Sequence, residues 1–301
     1  MGTRWIIAGS RGQLGRALSR ALATSPEREV LAAVDLPEVD IAEPEAVRAL
    51  ISARDVPADF VVNAAAFTHV DRCETEPELA HRVNAVGAGV LAEACAAAGS
   101  MLAHVSTDYV FAGDSPTPYR EGDLPAPASV YGETKLEGER RVLSASSGEC
   151  LVVRTSWVFG QGRNFIGAIL GQADARRTGQ ASGPLAVVDD QHGRPTYAED
   201  LARAIIALLE GRARGLYHVA NAGVATWWDL ARVSLDLAGY RDLIIERIQT
   251  KDLDLPAQRP PWSVLDCSKA EAAGLHFRSW DAALRDYLNA DFSPVHGVRE
   301  S

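Results

Sequence analysis

An apolar run at Leu102–Val105 ends in Ser106-Thr107-Asp108-Tyr109, and a loop rich in glycine and proline separates it from Tyr131-Gly132-Glu133-Thr134-Lys135. Such a run reads as a buried strand that finishes at a site. Tyr131 and Lys135 are four residues apart, so on a helix they share one face. A hydroxyl at a strand end, with a phenol and an ammonium beside it, is equipment for moving a proton. The lysine charge favours the phenolate, so a tyrosine pKa below its ordinary value of roughly 10 is expected. A surface helix with an ordinary Tyr and Lys is the bland alternative. With 7 tyrosines and three lysines (Lys135, Lys251, Lys269) in 301 residues, chance predicts only about 0.07 such pairs.

These groups need a scaffold, and the N-terminus announces one. Arg4–Gly9 reads as a buried strand, followed by Gly9-Ser10-Arg11-Gly12-Gln13-Leu14-Gly15 and an Ala/Leu-periodic helix to about Thr24. Between strand and helix, a G-x-x-G-x-x-G turn lets the backbone approach a pyrophosphate, and the helix N-terminus offers amides and a positive dipole end. Glu29–Asp35 is the next strand, and Asp35 lies 20 residues past Gly15, where an acid faces the adenosine ribose. That acid favours the 2′-hydroxyl of NAD, whereas Arg11 offers a guanidinium to the 2′-phosphate of NADP or is simply a solvated loop residue. Asp40-Ile41 is expected near the adenine, before a helix at Pro44–Arg54. Phe60–Ala66 is a third strand whose terminal alanines let a cofactor lie close, and helical sequence follows from Pro77 to Ala98.

Alternating strands and helices with continuous apolar strands predict an α/β fold: a doubly wound, Rossmann-like parallel sheet covered on both faces, with ligands at the strands' carboxyl ends. The expected dinucleotide-binding domain spans residues 1–163, with later strand returns near 185–189 and 215–221. A smaller, mainly substrate-binding domain spans 164–301. Leu151–Gly160 is a strand ending in Trp157, which stacks on a base, walls a sugar pocket, or is a half-buried core residue. Helices are expected at Asn164–Arg177, Tyr197–Glu210 and Trp227–Ala238, with two more closing the chain. Arg194, in the loop Asp190–Thr196, and Arg259, in Arg259-Pro260-Pro261-Trp262-Ser263, are candidate phosphate clamps, although solvated arginines are commoner. His218, in mid-strand, reads as a packed core histidine.

The totals exclude several classes. A net charge of −10 without a basic block argues against a nucleic-acid partner. Hydrophobic and charged contents of 47% and 23% are those of a soluble globular protein. Cys73, Cys95, Cys150 and Cys267 form no metal-binding spacing, so reduced thiols, a cytoplasmic location and no metal are expected. No apolar run reaches about 18 residues, so no membrane partner is expected. Met1–Gly9 leads straight into a strand, so no signal peptide is expected either.

The ordered blocks GSRGQLG, VVNAAAFTHVDRCE, Val83-Asn84, HVSTDYVF, YGETKLEGE, VVRTSWVFG, DQHGRPT, LYHVAN and RPPWS cover nearly the whole chain. Together they resemble the extended short-chain dehydrogenase/reductases and, within them, the dTDP-4-dehydrorhamnose reductases. The resemblance implies Thr107, Tyr131 and Lys135 as the catalytic trio. As cofactor contacts it implies Gly9–Gly15, Asp35, Asp40, Ile41, Ala65, Ala66, Phe67, Thr68 and Val105, with Tyr131 and Lys135. Asp108 and Trp157 are implied as substrate contacts, with Arg194 and Arg259 more loosely placed. It implies NADPH or NADH, NADPH slightly favoured, a dTDP-sugar substrate, and a monomer or homodimer.

The implied reaction is reduction of the C4 ketone of dTDP-4-dehydro-6-deoxy-L-mannose to dTDP-L-rhamnose, or reduction of another dTDP-4-keto-6-deoxyhexose. Relatives that remove water from nucleotide sugars carry Thr-Asp-Glu where this chain has Thr107-Asp108-Tyr109, and a tyrosine is a poor substitute for that carboxylate at neutral pH. A non-catalytic regulatory subunit, a reading from another class, expects a broken trio, yet all three residues are present. Some members carry an acidic residue in the first helix that helps hold a metal between subunits. Gly15-Arg16-Ala17-Leu18 has none. Phe67 and His69 also depart from the family pattern, at the expected sugar pocket.

Overall fold

Continuous apolar runs become the strands at the centre of the molecule. The computed structural model describes residues 2–53, 56–115, 117–145 and 148–291. Arg54, the expected helix end, and residues 292–301 of the expected substrate domain lie outside these. The strands in chain order are β1 (Thr3–Ala8), β2 (Arg28–Val34), β3 (Phe60–Asn63), β4 (Met101–Thr107), β5 (Cys150–Thr155), β6 (Val158–Phe159), β7 (Leu185–Val188), β8 (His192–Gly193), β9 (Thr196–Tyr197), β10 (Gly215–His218), β11 (Ala225–Thr226) and β12 (Ile245–Ile248). Six of them form one sheet in the order β10-β5-β4-β3-β1-β2, every neighbouring pair parallel.

The period of two along these strands divides the core. Trp5, Ile7, Phe60, Val62, Leu151 and Val153 face one helical layer, made by α1 (Gln13–Ala23) and, much later in the chain, α8 (Ala198–Glu210). Ile6, Ala8, Val61, Leu102 and Val152 face the other, with α2 (Pro44–Ser52) and α5 (Gly87–Ala98). Both faces are thus dry, as an all-parallel sheet requires. The chain leaves β1 towards β2 on one side and returns as β3 on the other. The topological switch point, where open α/β sheets bind ligands, therefore lies at the carboxyl ends of β1 and β3.

The expected return at 215–221 joins the sheet as β10, beside β5. The segment at 185–189 does not: β7 pairs with β12, Ile245 opposite Leu185, in a separate two-stranded ribbon. Its burial pattern gives the reason. Leu185 and Val187 are buried while Ala186 is exposed, whereas every residue of β5 is buried. A strand with one wet face has no place inside a sheet covered on both sides. β7 instead shares a core with α7 (Phe165–Arg177), α9 (Trp227–Leu237) and α11 (Trp280–Asp291). The short pairs β6–β9 and β8–β11 complete this second layer.

The expected helix from Pro77 to Ala98 is α4 (Pro77–His81), a single π turn at Arg82–Val86, and α5. π turns mark functional sites more often than chance, and this one carries Asn84. The preceding α3 (Val70–Thr75) and the following α6 (Val130–Ala145) frame the site. A short α10 (Ser268–Ala272) lies ahead of α11.

Candidate active site

At the switch point the backbone is drawn in tightly. Gly9 has φ +82°, and a Cβ there would lie 2.4 Å from the Ala65 backbone nitrogen. A Cβ on Gly15 would lie 2.1 Å from the Gly9 carbonyl oxygen. Only glycine fits either position, and the reward is a helix start pressed against the ends of β1 and β3. Gly12 caps α1 without a side-chain hydrogen bond, which leaves the first-turn amides for an anion. Leu14 is buried in the core and anchors this turn. The Gln13 side-chain oxygen is buried there without a protein partner. Asn63 fixes the opposite wall, its Oδ1 accepting from the Ala65 N–H at 3.1 Å. This cradle fits a dinucleotide pyrophosphate.

The expected ribose end carries both signals seen in the sequence. Asp35 accepts from the Arg11 backbone N–H at 2.9 Å and from the Leu36 N–H at 2.8 Å. The Arg11 guanidinium donates to the Leu36 carbonyl at 2.8 Å and pairs with Glu38 on an exposed surface. Beyond it, Asp40 pairs with Arg82 at 2.8 Å, and Ile41 packs into the core against Gly87.

β4 and α6 bring Thr107, Tyr131 and Lys135 to the sheet's carboxyl edge. A Cβ on Gly132 would lie 2.2 Å from the Tyr109 carbonyl oxygen, so α6 seats directly on the turn after β4. The Thr107 hydroxyl donates to Asp108 Oδ1 at 3.0 Å and accepts from the Tyr109 N–H at 3.2 Å. It also lies beside the Tyr131 phenol, close enough to act on its pKa. Burial raises the Tyr131 pKa well above its ordinary value, the neighbouring Thr107 hydroxyl opposes this, and the Asp108 charge adds to it. The expected lowering by lysine is therefore corrected: desolvation dominates, and the phenol stays protonated. Lys135, buried to 2% exposure, donates from Nζ to the Val105 carbonyl at 2.6 Å. Burial pulls its pKa down to about 8, with Glu139 pulling the other way.

On the substrate side the expected residues separate. Asp108 is buried, and desolvation lifts its pKa to about 6 against hydrogen bonds from Ser263 and Thr107. Trp157 sits at φ +48°, a strained backbone for a bulky residue. Its ring, stacked 3.8 Å from Trp227 at 8°, leaves no room for a side chain at Gly193, where a Cβ would lie 2.5 Å from it. Arg194 donates to the Asn221 and Leu265 carbonyls, both at 2.8 Å; it is a strut between loops, not a free phosphate clamp. Arg259 makes a two-pronged pair with Asp71 on α3, both contacts at 2.6 Å, so that guanidinium faces a carboxylate of the chain itself. Glu199 pairs with Arg20. Among the described residues no group of acidic, His or Cys side chains could hold a metal ion, and no helix is long and apolar enough to cross a membrane.

Residues 3–292 match the family model described as RmlD substrate binding domain. The chain belongs to this family. Among its relatives, the dTDP-4-dehydrorhamnose reductase of Mycolicibacterium smegmatis is 40% identical over 295 residues, covering 96% of this chain and 86% of that one. The dTDP-4-keto-6-deoxy-D-glucose reductase of Streptomyces niveus is 37% identical over 301 residues, 97% and 100% of the two chains. The solved structure of dTDP-4-dehydrorhamnose reductase from Bacillus anthracis in complex with NADP superimposes with a TM-score of 0.89 at 32% identity, over 96% of this chain and 99% of that one.

Three groups of this RmlD-family site had no role in the sequence reading, although Val83-Asn84 and Ser263 fall within its family blocks. Asn84, on the π turn, accepts from the Phe67 N–H at 2.8 Å and donates to the Phe67 carbonyl at 3.1 Å and to Thr134 at 3.2 Å. It thereby ties the cofactor-side loop to α6 next to Lys135. Ser263 reaches Asp108 from the far end of the chain. The Glu139–Arg154 pair lies one turn beyond Lys135. Glu139 continues the four-residue spacing of Tyr131 and Lys135, a signal that was available; for Asn84 and Ser263 the family blocks marked the residues, but nothing local points to their partners.

Proposed function

We propose that this protein uses a nicotinamide cofactor to reduce the C4 ketone of dTDP-4-dehydro-6-deoxy-L-mannose to dTDP-L-rhamnose. What supports the reading is a protonated phenol, Tyr131, beside the Thr107 hydroxyl at the edge of the sheet, next to a glycine cradle shaped for a dinucleotide. Gly9–Gly15, Asp35 and the Ala65–Thr68 loop would hold the cofactor, which supplies hydride to the ketone carbon. Tyr131 holds the proton that the developing alkoxide takes. Thr107 orients the ketone oxygen. Lys135 would hold the nicotinamide ribose and offset the phenolate charge left behind. These groups act where charge develops, so they count most in the transition state. The sugar lies between the 1–163 half and the 164–301 half, with Asp108 and Trp157 against it.

NADPH is favoured over NADH. Arg11 is exposed and its pairing with Glu38 is a surface ion pair, worth about 1 kcal/mol or less, so a 2′-phosphate can compete for it. The four free, buried cysteines support a reducing compartment, the cytoplasm. Reduction of a different dTDP-4-keto-6-deoxyhexose is the second reading, supported by the similar identity to the Streptomyces niveus reductase. The deciding experiment is NADPH and NADH oxidation with enzymatically made dTDP-4-dehydro-6-deoxy-L-mannose and identification of the product. dTDP-L-rhamnose is the expected product; turnover confined to other dTDP-4-keto sugars would replace the first reading with the second.

A further inference from the structure

The buried Asp108 carboxylate is held from both ends. One oxygen, Oδ1, accepts the Thr107 hydroxyl at 3.0 Å. The other, Oδ2, accepts the Ser263 hydroxyl at 2.5 Å. Asp108 and Ser263 are each 2% exposed, so water does not compete for these bonds. Ser263 is itself fixed: its N–H donates to the His192 carbonyl at 2.9 Å, and the His192 N–H donates to the Pro261 carbonyl at 2.8 Å. A strand-like contact between two loops of the C-terminal half thus ends in one hydroxyl that points into the catalytic turn.

A hydroxyl has a single proton. While ionised Asp108 takes the Thr107 proton, Thr107 offers only lone pairs to Tyr131 and to a substrate. Whatever weakens the carboxylate's hold on that proton frees Thr107 to donate. A hydrogen bond from Ser263 to the same carboxylate does this, because it delocalises charge away from Oδ1.

We propose that Ser263 is a positioning residue for the reduction, acting through Asp108 on the direction of the Thr107 hydroxyl beside Tyr131. The inference rests on the ketoreductase reading above. Its pH signature follows from the surroundings. The groups facing the carboxylate are Tyr109 on its own turn, Tyr131 from α6 and Ser263 from the C-terminal arm, with Arg259 and Asp71 one layer out against Tyr109. The Ser263 hydrogen bond lowers the Asp108 pKa, so removing it raises that pKa; because protonation of Asp108 also loosens its hold on the Thr107 proton, the rate lost without Ser263 is recovered as pH falls through the raised pKa.

The test compares wild type, Ser263→Ala and Ser263→Thr. Ser263→Ala should lower kcat about tenfold at neutral pH, the size of one hydrogen bond to a charged group, show a deficit that narrows as pH falls, and leave NADPH affinity unchanged. Ser263→Thr, which keeps the hydroxyl, should recover most of the rate. Wild-type kcat at neutral pH, or a deficit that does not change with pH, in folded Ser263→Ala overturns the proposal, as does Ser263→Thr failing as badly as alanine. If Ser263→Ala does not fold, Ser263→Cys, a near-isostere with a weak donor, must show the same loss at neutral pH and the same narrowing as pH falls. A wild-type protein that reduces no dTDP-4-keto sugar removes the functional reading first, before any variant is compared, and this inference with it.

Discussion

Two buried charges sit four residues apart on α6 and are treated in opposite ways. Glu139 meets Arg154 of β5 in a two-pronged pair at 2.8 and 2.6 Å, both side chains 3% exposed. Lys135 meets only a neutral carbonyl, that of Val105, among the described residues. The first charge is neutralised and belongs to the scaffold. The second is left under-compensated at the mouth of the site, and its pKa falls to about 8. Proteins tolerate such a cost where chemistry needs it. On the proposed reading, the contrast separates catalytic from structural residues on a single helix face.

The largest expected effect lies at the catalytic end of that face. Tyr131→Phe removes the proposed proton donor while its ring still fills the space beside Tyr109, 5.6 Å away edge-on. Turnover should fall by about 10²–10⁴-fold, the usual worth of a positioned general acid, with NADPH affinity and urea stability unchanged. Near-normal turnover would strip Tyr131 of its role.

At the structural end the effect should appear in stability instead. Glu139→Gln leaves Arg154 charged and buried beside a neutral partner, and breaking such a pair costs about 3–5 kcal/mol. The check is the urea midpoint at constant slope. The double variant Glu139→Leu with Arg154→Met should regain most of that loss, since a well-packed apolar pair is often as stable as a buried ion pair. A double variant as unstable as the single one would mean that the pair does more than neutralise itself.

How much of this was legible in the sequence follows the reach of each interaction. The glycine turn, the periodic α1 and the Tyr131–Lys135 face are local, set by neighbours within a turn or two, and residue types and spacing announce them. The strands of the large sheet were legible because each is apolar on both faces. Contacts between distant segments were not. Ser263 and Asp108 are 155 residues apart, and Arg259 and Asp71 are 188 apart; no spacing rule connects them. Arg194 looked like a phosphate clamp because a polar loop surrounds it, but the carbonyls it braces come from two other segments. The Tyr131 pKa was misjudged for a related reason, since a nearby charge is visible in a sequence and the depth of burial is not.

Lys135→Met sharpens the contrast at smaller magnitude. Loss of an unpaired buried ammonium should stabilise the fold by about 1 kcal/mol near neutral pH, the common gain when a functional strain is removed, while abolishing turnover. The pH dependence has a definite sign. The folded pKa of about 8 lies below the ordinary 10.5, so between these values the unfolded chain binds more protons, and stability contributed by this group rises with pH across that window. The advantage of Lys135→Met over wild type should be largest below about pH 8 and vanish towards pH 10.5. An advantage independent of pH would show that packing, not charge, sets it.

The smallest effect belongs to a third kind of charge, the exposed Arg11–Glu38 pair at the ribose end. Its side chains are 57% and 49% exposed, so solvent screens the pair and the fold should not register its loss. Its influence is on choice of cofactor. Glu38→Gln frees Arg11 for a 2′-phosphate and should raise the NADPH-to-NADH ratio of kcat/KM a few-fold; Arg11→Ala should lower it by about tenfold, one charge-assisted contact. Asp35, whose oxygens accept from two backbone N–H groups, stays in place in both variants and preserves NADH use. If neither variant moves the ratio, the 2′-phosphate is held elsewhere, and the balance between Arg11 and Asp35 is not what sets cofactor preference.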